Sequence, residues 1–316
     1  MNSLHPHLAK APARAGARAS AFAPASALRP LAFAVACLFS AAPGHADSPA
    51  LPSGLQVMQG QASSLANGKL LTVTNSANAI LNWQQFSIGG GNTVRFEQPN
   101  AASQVLNRVV GGDPSAILGS LTRNGRVWLQ NPYGVLFGAG ARIDVAGLVA
   151  TTLNINGAQW LAQRYSLQAG SGPGMAQAQV VNQGELRTAA GGQLMLIGTA
   201  GVRNEGLISA PGGQVLTAGG RVDLYAAVVN QQGIVRADGL SVPGGHAGLV
   251  TLNGSESTKL AAGSSTSADA TATGAPAGQV LVDGGAGANL IAGKVSATSS
   301  GGLGGKVTLL GRHWAC

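Results

Sequence analysis

The feature that most constrains this chain is a short phrase that keeps returning. Val181-Asn182-Gln183-Gly184-Glu185-Leu186 is answered by Val202-Arg203-Asn204-Glu205-Gly206-Leu207-Ile208 and by Val229-Asn230-Gln231-Gln232-Gly233-Ile234-Val235, so that Asn182, Asn204 and Asn230 fall 22 and then 26 residues apart. Between the phrases lie Gly191-Gly192-Gln193-Leu194, Gly212-Gly213-Gln214-Val215 and Gly219-Gly220-Arg221-Val222, with echoes at Gly278-Gln279-Val280 and Gly304-Gly305-Lys306-Val307. A turn of about 20 to 26 residues with two or three short strands is what a right-handed parallel β-helix needs, each rung burying its inward side chains on its neighbours. Asparagines at one place in successive rungs stack into an amide ladder at a strand spacing of about 4.8 Å. Asn182, Asn204 and Asn230 are therefore expected to be ladder or turn residues.

The same logic explains a composition that otherwise suggests disorder. Of 316 residues 48 are glycine, and only 9% are charged and 4% aromatic, yet Val, Leu and Ile recur regularly enough to build a core. Gly, β-branched residues and repeated Asn-Gly pairs disfavour helix throughout. Between Leu121 and Thr152, Val127 and Leu129 point to one side of a strand and Arg126, Trp128 and Gln130 to the other, and alternation resumes from Arg142 to Val145. Asn131-Pro132-Tyr133-Gly134 supplies the turn between them, since Asn tolerates left-handed backbone, Pro fixes φ and Gly carries positive φ at no steric cost. Upstream, short alternating runs at 55–58, 69–73, 79–83 and 92–96 read as strands, and residues 102–121 as a strand followed by a loop or a single helical turn. Ala261 to Ala277, rich in small polar residues, reads as a surface loop or flexible insertion.

Residues 1–46 have the pattern of a secretory signal peptide. Lys10, Arg14, Arg18 and Arg29 form a basic front without an acid, Leu31 to Ala42 is a short apolar run, and Gly44-His45-Ala46 offers small residues for cleavage. Their removal takes the net charge from +8 to +4 and leaves no basic cluster, so nucleic acid is not an expected partner. Cys37 leaves with the signal and Cys316 is the last residue, which excludes a disulfide within the mature chain. No polar terminal cap follows Leu309-Leu310-Gly311, so the last rung is expected either to continue into a longer shaft or to be covered by a partner.

Four stretches, taken in order, carry a resemblance: Asn82-Trp83-Gln84-Gln85-Phe86-Ser87-Ile88-Gly89; Val94-Arg95-Phe96-Glu97-Gln98-Pro99; Val105-Leu106-Asn107-Arg108-Val109; and Gly119-Ser120-Leu121 through Asn131-Pro132-Tyr133-Gly134-Val135-Leu136-Phe137. Together they closely resemble the N-terminal two-partner secretion (TPS) domain of filamentous haemagglutinin-type exoproteins, over about residues 50 to 160. The resemblance implies a signal peptide over 1–46, a secretion domain with an N-terminal β cap over 47–165, and β-helix rungs over 166–316. It also implies a partner, an outer-membrane β-barrel transporter with periplasmic recognition domains, and a destination in the medium or on the outer surface of a Gram-negative bacterium. The family's asparagine-proline-asparagine-glycine turn is matched by Asn131, Pro132 and Gly134, with Tyr133 in place of the second asparagine. Asn107 and Arg108 match the family's leucine-asparagine-arginine run. These five residues are the expected sites of transporter recognition or fold nucleation, a structural role being favoured for Asn107 and Arg108.

An enzyme reading fares poorly. His246 and His313 are the histidines left after the signal, and Asp144, Asp223, Asp238 and Asp283 are scattered, so no catalytic constellation, metal cluster or cofactor is expected. A polysaccharide-degrading β-helix is the lesser alternative, and a surface adhesin module binding host glycan or protein the greater one.

Overall fold

The computed structural model describes residues 51–211, 221–238 and 247–315. The signal segment, Cys37, Cys316, His246 and the Gly212–Val215 and Gly219-Gly220 echoes lie outside these residues. The rest is a parallel β-helix closed at one end by antiparallel strands.

Its rungs stack as three ladders of parallel strands. One joins Leu70–Asn75, Thr93–Glu97, Ser120–Arg123 and the first half of Arg142–Thr151, then Glu185–Ile197, Leu207–Ser209, Ile234–Arg236, Ser265–Ser267 and Lys294–Ser296. A second joins Ala79–Trp83, Gln104–Val109, Arg126–Gln130 and the second half of Arg142–Thr151, and continues to Lys306–Leu310. The third begins at Ser115–Ile117 and Val135–Phe137, passes through Gln179–Asn182 and Gly201–Asn204, and ends at His313–Ala315. Inward residues at matching register, such as Val94, Leu121, Ile143, Leu186, Ile208 and Val235, form one continuous apolar column. This is how a chain so poor in aromatics builds a core: each side chain needs to match only the rung above and below. The ladders run without a break across residue 165.

The cap comprises Gln56–Gln59, antiparallel to Ala79–Trp83 with a bulge between Val57 and Gln59, and Ala62–Asn67, antiparallel to Leu70–Asn75. The second pair is a hairpin through Asn67-Gly68, with Gly68 at φ 56°, where a side chain is disfavoured. Leu51, Leu55 and Ala62 close the apolar column from this end.

Three local expectations need revision. Residues 115–117 form a rung strand rather than a loop or helical turn, because Ser115 and Ile117 face inward and are buried. The polar stretch 261–277 contains a further rung: Thr266 is buried between Val235 and Val295, its small β-branched side chain filling an inward slot that apolar patterning does not flag. A short helix, Gly157–Leu161, forms despite the helix-poor composition, capped at its start by the Asn156 side chain, which accepts from the Ala158 and Gln159 N–H groups.

Candidate functional site

The residues of the secretion motif converge on the early rungs. Asn131 is fully buried. Its Nδ2 donates to the Asp113 carbonyl at 2.9 Å and to Ser115 Oγ at 2.9 Å, while its Oδ1 accepts from the Tyr133 N–H at 3.0 Å. The turn closes through the Gly134 N–H donating to the Asn131 carbonyl at 3.1 Å, with Gly134 at φ 128° and Pro132 buried. Asn131 thus satisfies a backbone carbonyl and a side-chain hydroxyl of the preceding segment, which no apolar residue can do. Tyr133 contributes its backbone to this turn and keeps its side chain half-exposed, so the turn forms without a second asparagine.

Asn107 is equally buried and links rungs on both sides. It accepts from Trp83 Nε1 at 2.9 Å and donates to the Trp128 carbonyl at 3.2 Å. Its neighbour Arg108 points to the opposite face, where Nη2 donates to the Ile155 carbonyl at 2.6 Å. Burial lowers the Arg108 pKa.

That Arg108 contact belongs to a feature no sequence pattern announced. Between two rungs the chain leaves the solenoid at residues 152–168 and lies as a strap across the outside of the second ladder. There Ile80, Leu106, Trp128 and Val149, neighbours in register, form an outward apolar stripe. Trp160 seals it: fully buried, it packs edge-on to Trp128 at a centroid distance of 5.1 Å, and its Nε1 donates to the Asn78 carbonyl at 3.1 Å. Gln130 holds the strap in two places, donating to Asn154 Oδ1 at 3.0 Å and accepting from the Ile155 N–H at 3.2 Å. An aromatic at 128 with an amide two residues on, both on the face away from the core, was the available signal for a covering layer.

Farther along, the amide ladder exists with one member changed. Asn182 Nδ2 donates to Asn204 Oδ1 at 2.8 Å, and Asn204 Nδ2 donates to Gln231 Oε1 at 2.7 Å. Asn230, the expected third member, is a correction: it pairs in register with Arg203 and Lys259 on the outward side, whereas Gln231 is in register with Asn204 and fully buried. Counted back two residues from Gly184, Gly206 and Gly233, the inward position is Asn182, Asn204 and then Gln231, and the strand period of 2 turns Asn230 out.

Arg123, beside Arg126, is the other perturbed cation. Burial first and the Arg126 charge second lower its pKa well below the usual guanidinium range, to about 9, although it donates to Gln98 Oε1 at 3.1 Å. The folded state therefore disfavours the protonated form, and this cost is present in full below pH 9. Stability contributed at this site rises as pH climbs above about 9, where the unfolded chain holds more protons. Urea midpoints of the parent and Arg123→Met should accordingly diverge most in favour of the variant near pH 7 to 8 and shift toward the parent above pH 9; a gap that does not vary with pH would contradict the assignment.

Acids elsewhere are engaged in loop structure. Asp238 accepts from the Asp269 N–H, and Asp283 accepts from Asn253 and from the Gly285 N–H. No group of His, Cys, Asp or Glu suited to a metal occurs among the described residues.

A capped parallel β-helix with buried motif turns in its first rungs is the architecture of a bacterial secretion domain. Residues 49–309 match the family model described as TPS secretion domain, and the chain belongs to that family. Over 112 residues, 35% of this chain, it is 42% identical to a heme/hemopexin-binding protein of Haemophilus influenzae, and over 87 residues, 28% of the chain, 47% identical to another from the same species. The chain aligns with only 12% and 9% of the length of these relatives. The crystal structure of the HMW1 secretion domain from H. influenzae superposes with a TM-score of 0.63 at 25% identity, over 82% of this chain and 76% of that one.

Proposed function

We propose that this chain is cargo of a two-partner secretion system, addressed by its first rungs to a cognate outer-membrane β-barrel transporter with periplasmic recognition domains, and that those rungs nucleate a β-helix on the outer surface. The observation that carries the reading is the family match across residues 49–309. The same reading assigns 1–46 to export across the inner membrane, 47–165 to recognition and nucleation, and 166–316 to the growing helix. Burial supports nucleation rather than direct contact for Asn107, Asn131 and Pro132, since a buried side chain meets its own neighbouring rung. Low charge suits passage of an extended chain through a narrow pore, and rung stacking outside opposes its return.

A reporter fused after residue 316 should reach the medium only when a cognate transporter is coexpressed. Release without the transporter would overturn the reading. Asn131→Ala should reduce release several-fold while Asn230→Ala leaves it near the parent level, because only the first removes buried hydrogen bonds.

A further inference from the structure

A cleft of about 250 Å³ lies where the strap meets the first three rungs, bordered by Asn78, Asn100, Gln104, Arg126, Gln163 and Tyr165. The non-glycine residues with positive φ among those described are Asn78, at 58°, and Gln163, at 54°, and both border this cleft. Asparagine tolerates that conformation, but glutamine does so at a cost. Gln163 follows the C-cap of the short helix. Its N–H donates to the Trp160 carbonyl at 2.9 Å and the Arg164 N–H to the Gln159 carbonyl at 2.8 Å, the bonding of a Schellman turn, where glycine is the usual residue. The chain thus keeps a side-chain amide at a position where having no side chain is easier, and strain of this kind concentrates at ligand sites.

The chemistry of the lining narrows the ligand. Gln104 is fixed, its Nε2 donating to Asn78 Oδ1 at 3.1 Å and to Tyr165 Oη at 2.9 Å, whereas the Gln163 amide and the Arg126 guanidinium bond to no other described side chain. Amides offer donors and acceptors together, as vicinal hydroxyls require. Tyr165, 42% exposed and held against Trp128 at 4.8 Å, offers an aromatic surface of fixed orientation. The lining contains Arg126 and no acid, so it favours an anionic group. The volume lies below the range for drug-sized ligands, about 300 Å³ and up, which limits the occupant to about one ring. From this arrangement we infer that the cleft binds a single sugar ring bearing a carboxylate, with Arg126 on the carboxylate and the amides of Asn78 and Gln163 on ring hydroxyls. The site is independent of the transporter reading.

Calorimetric titration of the purified full chain with glucuronate, glucose and acetate tests it. Glucuronate should bind saturably and at least about tenfold more tightly than either of the others, the margin of a charge-assisted pair over a neutral one. In Arg126→Met the preference for glucuronate over glucose should fall to about one. In Gln163→Gly the melting temperature should rise by about 2 to 4 °C as strain is relieved, while glucuronate affinity falls about fivefold. No saturable glucuronate binding, equal affinity for acetate, or a Gln163→Gly chain that is more stable yet binds as before would each overturn the inference.

Discussion

Trp160→Ala is expected to lower stability by about 3 to 5 kcal/mol, the range for emptying a buried tryptophan site, and to make residues 152–168 the first point of proteolytic cleavage. Trp160 is fully buried and supplies an edge-on contact to Trp128 and a hydrogen bond to Asn78. Without it, Ile80, Leu106 and Val149 lose the lid over their stripe. Urea denaturation with paired limited proteolysis checks both parts. Trp160→Phe, which retains most of the packing and loses the indole N–H, should cost about 1 to 2 kcal/mol. A Trp160→Ala cost below about 1 kcal/mol would mean that the strap rests on the rungs without stabilising them.

Asn204→Ala is expected to be nearly as damaging, on the order of 3 kcal/mol, because it takes one short hydrogen bond from each of two buried amides at once. Asn182 Nδ2 loses its acceptor and Gln231 Oε1 its donor. Asn230→Ala should change stability by less than about 0.5 kcal/mol, as for an outward position. Chemical denaturation of the two variants side by side decides the matter: equal costs would return Asn230 to the ladder and displace Gln231. Above and below the three amides the same inward position is filled by Phe137 and Leu260, so the ladder is a polar insert within an apolar stack.

These contrasts show what could be read in advance. The parallel solenoid was legible because a rung repeats its inward residues, as Val180, Val202 and Val229 do at one register position. The Asn131-Pro132-Tyr133-Gly134 turn was legible because its chemistry is local: one asparagine side chain, one fixed φ and one positive φ. The third ladder residue is missed when asparagine is matched to asparagine, because the inward place two residues before Gly233 is held by Gln231, an amide of another residue type, and one step along the strand faces the other way. The strap was hidden for a different reason. Trp160, Ile155 and Tyr165 have no periodic partners nearby; they answer to Asn78, Arg108 and Gln104, which lie far upstream and are joined to them only by the folded surface. The cleft depends on the same long-range meeting, and Gln163 shows its meaning only once its backbone angle is known.

The reversed strands of the cap bear on how copies of this protein behave in a crowd. A solenoid with parallel edges at both ends is a self-complementary monomer, able to stack head to tail into an open fibre. Here one end terminates in Ala62–Asn67 and Gln56–Gln59, which run against the ladder, and the second carries a bulge. A neighbour's parallel edge finds no matching register there. Among the described residues, the cap therefore makes this end of the stack unlike every rung behind it, so the molecule is directional: rungs repeat away from the cap and not through it.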